Sequence, residues 1–275
     1  MGPMTSPDVT AARRVPVALT IAGSEATGGA GAQTDLKTFQ ALGTFGMAAL
    51  TCIVSFDPKA GWGHRFVPVE AQVIADQLEA QLATYDVDAV KVGMLGTPVT
   101  IETVAQVLRE LRPERLVLDP VLICKGQEPG AALDTDTALK EQVLPLVTFV
   151  TPNHFEALSL SGLDAIESED DLARAARIIH ERSGAAVLAK GGVCLAGPDA
   201  VDVFYDGSTL EVLREPKVGD LAVSGAGCTL AAAVTAELAK GATALEAARS
   251  AKSFVRQAIV DRMPSRAPFE AVRQR

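Results

Sequence analysis

At 275 residues and 48% hydrophobic, the chain can bury one large core, and nothing in its composition demands a second domain. A net charge of −9 argues against nucleic acid or an anionic membrane as a partner, because both need basic patches. The four cysteines (52, 124, 194 and 228) lack a C-x-x-C pair, and with three scattered histidines they point to neither a zinc site nor a disulfide framework. Reduced thiols are expected. With no apolar run of membrane-spanning length and no signal peptide in view, the expectation is a cytoplasmic protein with no membrane partner.

Residues 1–15 carry no periodicity and are expected to form a disordered tail ahead of a single domain over 16–275. Val17–Ala22 predicts a short strand, the segment Gly23-Ser24-Glu25-Ala26-Thr27-Gly28-Gly29-Ala30-Gly31 a glycine loop, and Gln33–Leu42 a helix. The loop has neither the dinucleotide fingerprint spacing nor the terminal Gly-Lys-Ser/Thr of a Walker loop. Further strands are predicted at Met47–Ser55, Ala89–Val92, Leu116–Leu118, Thr148–Val150 and Ala186–Ala189. Helices are predicted at Val69–Tyr85, Thr100–Leu111, Thr135–Leu144, Asn153–Ser161, Asp170–Arg182, Thr229–Ala239 and Ala244–Arg262, the last capped by Thr243. In the helix at Val69–Tyr85, residues Val73, Ile74, Gln77, Leu78 and Leu82 fall near one face. Asp206-Gly207-Ser208 marks a hairpin turn between Ala200–Tyr205 and Thr209–Leu213. Strands separated by helices of this length imply an α/β fold, a central mainly parallel sheet with helices on both faces. Ligands of such sheets bind beyond the carboxyl ends of the strands. The glycine loop, Asp119, Asn153 and Lys190 each follow a predicted strand closely and should converge there.

The segment Ser224-Gly225-Ala226-Gly227-Cys228-Thr229 precedes the small-residue run Leu230–Leu238. A glycine turn feeding a helix N-terminus leaves amide N–H groups aimed outward with the positive end of the helix dipole behind them, which is an anion cradle. The same field favours a thiolate, so Cys228 is expected to serve as a base or nucleophile near neutral pH. The plainer alternative is a helix start with a buried cysteine. Cys52, inside Leu50–Val54, reads as core, and Cys194 has no assigned role.

Three segments together resemble a known family. Gly23 to Leu36 is similar to the opening motif of the vitamin-kinase branch of the ribokinase-like superfamily. Asn153 and Glu156 match its Asn-x-x-Glu motif, and Gly225 to Cys228 its glycine-rich anion hole. The resemblance spans about residues 16–265 and is strongest to the bacterial dual-cysteine pyridoxal kinases that look like hydroxymethylpyrimidine kinases. It implies a ribokinase-like fold, a homodimer, and ATP- and Mg²⁺-dependent phosphorylation of the 5′-hydroxymethyl group of pyridoxal, with small-molecule substrates (a B6 vitamer and ATP). The alternatives are the same chemistry on hydroxymethylpyrimidine for thiamine synthesis, or a vitamin-binding protein that has lost turnover.

By that resemblance Cys228 is the base and Gly225, Ala226 and Gly227 complete the anion hole. Gly23, Ser24, Phe56, His64 and Cys124 face the vitamin, Asn153, Glu156, Lys190 and Ser224 the ATP phosphates, and Asp119 and Glu156 the metal. Cys124 lies in the glycine- and proline-rich stretch from Asp119 to Gly130, which reads as a lid. The family's lid cysteine adds to the aldehyde as a hemithioacetal; the alternative is an incidental exposed thiol. Phe56 stands where the pyrimidine kinases carry a glutamine that hydrogen-bonds the aminopyrimidine. Trp62-Gly63-His64 matches a Trp-x-His segment of the pyridoxal kinases, and a solvated loop histidine is the alternative for His64. Asn153 could equally cap its helix. Glu25 and Ser224 depart from the family pattern, which has aspartate at the first position and histidine or threonine at the second.

Overall fold

The computed structural model describes residues 14–122 and 129–275. In chain order the strands are β1 (Val17–Glu25), β2 (Phe45–Asp57), β3 (Gly63–Pro68), β4 (Ala89–Val92), β5 (Leu116–Leu118), β6 (Phe149–Val150), β7 (Ala186–Lys190), β8 (Asp199–Tyr205) and β9 (Leu210–Pro216). The helices are α1 (Gly31–Ala41), α2 (Ala71–Thr84), α3 (Pro98–Leu111), α4 (Pro129–Gln142), α5 (His154–Ser161), α6 (Glu169–Ser183), α7 (Ala226–Ala239) and α8 (Ala244–Val260). The strands form one sheet in the order β3-β2-β1-β4-β5-β6-β7-β8-β9. The pairs from β2 to β7 are parallel; β3 joins β2, β8 joins β7 and β9 joins β8 antiparallel.

The chain runs from β1 outward to β2, then returns to place β4 on the other side of β1. The strand order therefore reverses direction between β1 and β4, and a crevice opens beyond their carboxyl ends. Alternation along the strands divides the core into two layers. Leu19, Ile21, Val90 and Val92 pack with Ile74, Leu78, Ile101 and Leu108 of α2 and α3. On the opposite face Val117, Phe149 and Leu188 pack with Leu230, Ala233 and Val255 of α7 and α8, and Ala18 packs with Ala232, Ala236 and Phe39. The alanines of α7 let this helix lie close on the sheet beside α1.

A strand at β3 was not expected: it is six residues long, bounded by glycine and proline, and largely exposed. Its pairing with β2 puts His64 opposite Phe56, so His64 sits on a strand. Helix α4 begins at Pro129, ahead of the expected Thr135; proline at a first helical position needs no N–H partner and its φ already suits the helix. Val73 is 45% exposed, whereas Ile74 and Leu78 are fully buried, so the apolar stripe of α2 is narrower than its periodicity implied. Gln77 exchanges hydrogen bonds with both backbone groups of Leu50, and Gln81 Nε2 donates to Ala48 O, so two side chains of α2 cover a stretch of β2. Residues 1–13 lie outside the described region. Of the tail expected over 1–15, Arg14 donates to Asp88 at 2.8 Å and is anchored there.

Thr243 caps α8 as expected: its Oγ1 accepts from Glu246 N–H while Glu246 reaches back to Thr243 N–H. Thr243→Ala should lower the unfolding free energy by about 0.5–2 kcal/mol. Urea denaturation checks this through a lowered midpoint at constant slope.

Candidate active site

The first glycine loop closes the carboxyl end of β1 and folds back so that Gly31 opens α1. A side chain on Gly31 (φ +64°) would overlap the Gly23 carbonyl oxygen. Glu25 holds the loop from inside: its carboxylate accepts from Thr27 N–H at 2.6 Å, Thr27 Oγ1 at 2.7 Å and Gly29 N–H at 2.9 Å. The longer carboxylate at this position thus organises the loop as well as lining the pocket. The second glycine turn meets the first. Gly225, at φ +79°, is the N-cap of α7, and a Cβ on it would overlap the Gly29 carbonyl oxygen.

Helix α7 begins at Ala226, so Ala226, Gly227 and Cys228 form its first turn. The Ala226 N–H turns back to Val223 O at 3.3 Å. Those of Gly227 and Cys228 have no backbone acceptor among the described residues and remain as the amides of an anion cradle. Lys190 Nζ would sit 3.5 Å from a Cβ on Gly227 and lies 3.5 Å from Asp119 Oδ1. Asn153 and Glu156 make a capping box at the start of α5: Asn153 Oδ1 accepts from Glu156 N–H at 2.9 Å and Glu156 Oε2 from Asn153 N–H at 2.8 Å. Burial pushes the Glu156 carboxyl up to about 8 against the pull of Lys190, and Asp119 pushes it the same way. The backbone gathers these groups, since Asp119 N–H donates to Val92 O and Lys190 N–H to Pro152 O, each at 2.9 Å.

Two cavities flank the Gly225–Cys228 turn. One, of about 230 Å³, is bounded by Gly23, Phe56, His64, Lys91, Met94 and Cys228. Its aromatic wall is Phe56 and His64, with ring centres 4.7 Å apart; behind the wall Phe269 lies 5.0 Å from Phe56 and meets Trp62 edge-on at 5.9 Å. The other, of about 160 Å³, is an apolar cleft walled by Val218, Leu221, Val223, Ala226, Val255 and Ile259.

Gly23, Phe56, His64, Ser224 and Cys228 line the aromatic cavity and Ala226 the apolar one, whereas Asp119 and Lys190 gather beside Gly227 and, with Asn153 and Glu156, line neither. Ser224, expected at the ATP phosphates, lines the aromatic cavity together with Cys228, and its backbone is bridged on both sides to the C-terminal segment at Glu270 and Val272. Ser24 accepts from Gln33 Nε2 at 2.6 Å and is not among the residues lining the cavity. Cys124 and residues 123–128 of the lid expected over Asp119–Gly130 lie outside the described region, and Pro129 and Gly130 begin α4. The expected easily ionised thiol is corrected: burial pushes Cys228 up to about 12, Lys91 pulls against it, and Asp119 and Asp35 add to the rise.

Sequence reasoning missed Lys91, Asp35, Phe269 and the apolar cleft. A lysine inside the apolar strand Ala89–Val92 was a readable signal. Phe269 and the cleft gave none, since distant segments build both.

Comparison with known proteins agrees with this geometry. The family model described as phosphomethylpyrimidine kinase matches residues 25–271. The chain belongs to this family. It is 46% identical to a pyridoxine kinase of Bacillus subtilis over 90% of this chain and 91% of that one. It is 40% identical to a hydroxymethylpyrimidine/phosphomethylpyrimidine kinase of Rhizobium meliloti over 88% and 90%. Among solved structures, an ADP complex of Bacillus subtilis pyridoxal kinase superposes with a TM-score of 0.90 at 44% identity, covering 95% of this chain and 98% of that one. The fold is that of the ribokinase-like superfamily to which these kinases belong.

Gly225→Ala forces the two glycine turns apart and should reduce turnover by more than tenfold. Gly241→Ala, at φ +93° with no atom within 4 Å of the new Cβ, should cost only backbone strain of about 1–3 kcal/mol. Turnover and urea midpoints of the two variants check this contrast.

Proposed function

We propose that the protein is an ATP-dependent pyridoxal kinase that transfers the γ-phosphoryl group to the 5′-hydroxymethyl of the vitamin. The observation that carries this reading is a pair of cavities on opposite sides of one helix N-terminus, one walled by aromatics and one apolar. Relatives support the substrates: a solved structure of Staphylococcus aureus pyridoxal kinase in complex with AMP-PCP and pyridoxal superposes with a TM-score of 0.87 at 39% identity, covering 95% of this chain and 94% of that one.

The apolar cleft suits a nucleotide base, with the phosphates running toward Lys190 and the free amides of Gly227 and Cys228. The aromatic cavity suits the pyridine ring against Phe56, with the hydroxymethyl turned to Cys228. In the transfer the alcohol oxygen bonds to the γ-phosphorus and the bond from that phosphorus to the departing ADP oxygen breaks. The alcohol proton passes to the thiolate form of Cys228, which the thiol reaches by first losing its own proton to solvent, and the sulfur releases the proton it has taken up as product departs. The Gly227 and Cys228 amides and Lys190 stabilise charge on the moving phosphoryl group.

Asp119 stands close enough to Glu156 to disfavour charge on it, a donor set that fits a Mg²⁺ held mainly through phosphates and water. When bound, such an ion neutralises phosphate charge; Asn153 contributes by fixing Glu156 through the capping box. A homodimer belongs to the same reading. It is supported by the edge strand β3, where Val67 (61% exposed) pairs across with Ile53 (43% exposed) to form an apolar strip. A cytoplasmic location also belongs to it: no helix among the described residues is long and apolar enough to cross a membrane.

Cys228→Ala should lower turnover by roughly 10²–10⁴ with little change in the KM for ATP, and Cys228→Asp should recover part of the loss. Steady-state kinetics with pyridoxal decides it, and near-normal turnover in Cys228→Ala would remove the base assignment.

Phe56 separates pyridoxal from hydroxymethylpyrimidine. Apolar walls discriminate weakly, whereas a site built around hydrogen bonds discriminates strongly. The native protein should therefore prefer pyridoxal yet retain some activity on the pyrimidine, and Phe56→Gln should shift the ratio of kcat/KM toward the pyrimidine. A native preference for the pyrimidine would overturn the vitamin B6 assignment in favour of the thiamine pathway.

A further inference from the structure

Lys91 is the third residue of β4, a strand buried along its whole length, and its side chain is 0% exposed. Val90 and Val92 point into the layer beneath α2 and α3, so Lys91 points the other way, among the alanines beneath α1 and α7. A charge in such a layer is costly unless it is paired. The partner is Asp35 of α1, also 0% exposed, whose Oδ2 lies 2.9 Å from Lys91 Nζ and accepts from Thr20 Oγ1 at 2.6 Å. Asp35 Oδ1 has no hydrogen-bond partner among the described residues. The pair is not sealed into the core: Lys91 lines the aromatic cavity together with Gly31 and Cys228. Neighbouring Gly93 leaves room for the ammonium, since a Cβ there would lie 3.0 Å from Nζ.

We propose that Lys91 is a positioning residue whose ammonium, held by Asp35 under the cavity, stabilises the Cys228 thiolate and sets the pH at which that sulfur can accept the alcohol proton. The proposal rests on Cys228 as the base. The groups facing Cys228 are Lys91 of β4, Asp35 of α1, Asp119 after β5, Glu25 at the end of β1, His64 of β3, and Lys190 at the end of β7. Lys190 stands 3.5 Å from Asp119 on the phosphate side, which leaves Lys91 as the lysine of the aromatic cavity. Burial works against the Lys91 ammonium, yet Asp35, Cys228 and Asp119 outweigh it and keep the lysine charged. For Cys228, Lys91 is the strongest influence opposing burial, and Asp35 acts in the other direction.

The signs of the two partners are therefore opposite. Removing Lys91 should make the thiol harder to ionise; removing the carboxylate of Asp35 should make it easier. A role in packing alone predicts no such opposition. The measurement is the rate of iodoacetamide alkylation at the Cys228 peptide, followed by mass spectrometry of the substrate-free full chain from neutral to strongly alkaline pH.

Lys91→Met should slow alkylation at a given pH by roughly 10-fold or more and move the curve to higher pH, the scale expected for losing a nearby opposite charge. Asp35→Asn should move it to lower pH. The kcat for the vitamin should fall in Lys91→Met with the KM for ATP unchanged. The double variant Lys91→Met/Asp35→Asn leaves no unpaired charge in the layer and should still be displaced to higher pH, so it decides the matter if either single variant fails to fold. Coincidence of the variant and native curves, or displacement of both single variants in the same direction, would overturn the proposal. A shifted alkylation curve with unchanged kcat would show that Lys91 acts on the thiol but would remove Cys228 as the base, and would overturn the part of Lys91 in the reaction.

Discussion

The contact between the two glycine turns is the constraint on which the site depends. Gly225 can lie against the Gly29 carbonyl only because neither a side chain nor an ordinary backbone angle intervenes. This contact brings the first turn of α7 up to the loop after β1, although nearly two hundred residues of chain separate them. From it follow the outward amides of Gly227 and Cys228, the placing of Cys228 at the cavity floor, and the division of the crevice into an aromatic and an apolar half. Glu25 keeps the loop in shape from within through three hydrogen bonds.

Buried ion pairs underlie both halves. Lys91 and Asp35 lie below the aromatic cavity, and Lys252 and Asp202 below the apolar cleft, with Lys252 Nζ 2.7 Å from Asp202 Oδ2 and 2.8 Å from Ala200 O. Asp202 also accepts from Gly191 N–H at 3.2 Å, immediately after Lys190. A salt bridge in a low-dielectric layer adds little net stability, while breaking one by removing a single partner costs about 3–5 kcal/mol. Lys91 lines the aromatic cavity and Lys252 the apolar cleft, so each pair sets one lysine at a cavity wall.

The C-terminal segment completes the walls. The Ser224 N–H donates to Glu270 O at 3.0 Å and its carbonyl accepts from Val272 N–H at 3.0 Å, so residues 270–272 run alongside the entrance to the anion cradle. Gln274 Nε2 donates to Thr229 Oγ1 at 2.8 Å within the first turns of α7. The same segment sets Phe269 on Phe56 and Trp62, making the ring that faces the cavity part of a packed aromatic group.

Alternating apolar strands and amphipathic helices determined the layered sheet, and the strands at Ala89–Val92 and Leu116–Leu118 fall where their apolar runs placed them. Local chemistry likewise determined the glycine turns, the caps of α5 and α8, and the residues leaving strand ends, because each acts over a few neighbouring positions. Strand β3 escaped, since it is short, is bounded by glycine and proline, and exists only through pairing with β2. The ionisation of Cys228 also escaped: a helix N-terminus alone favours the thiolate, whereas burial together with Asp119 and Asp35 outweighs Lys91 and the Gly31 backbone hydrogen bond. Lys91, Asp35, Phe269 and the apolar cleft acquired their places only when α1, α7, α8 and the chain end came together. Sequence thus determined which groups are available at each strand end, and tertiary structure decided which of them share a low-dielectric space, because charge interactions and aromatic packing depend on distance through space and not along the chain.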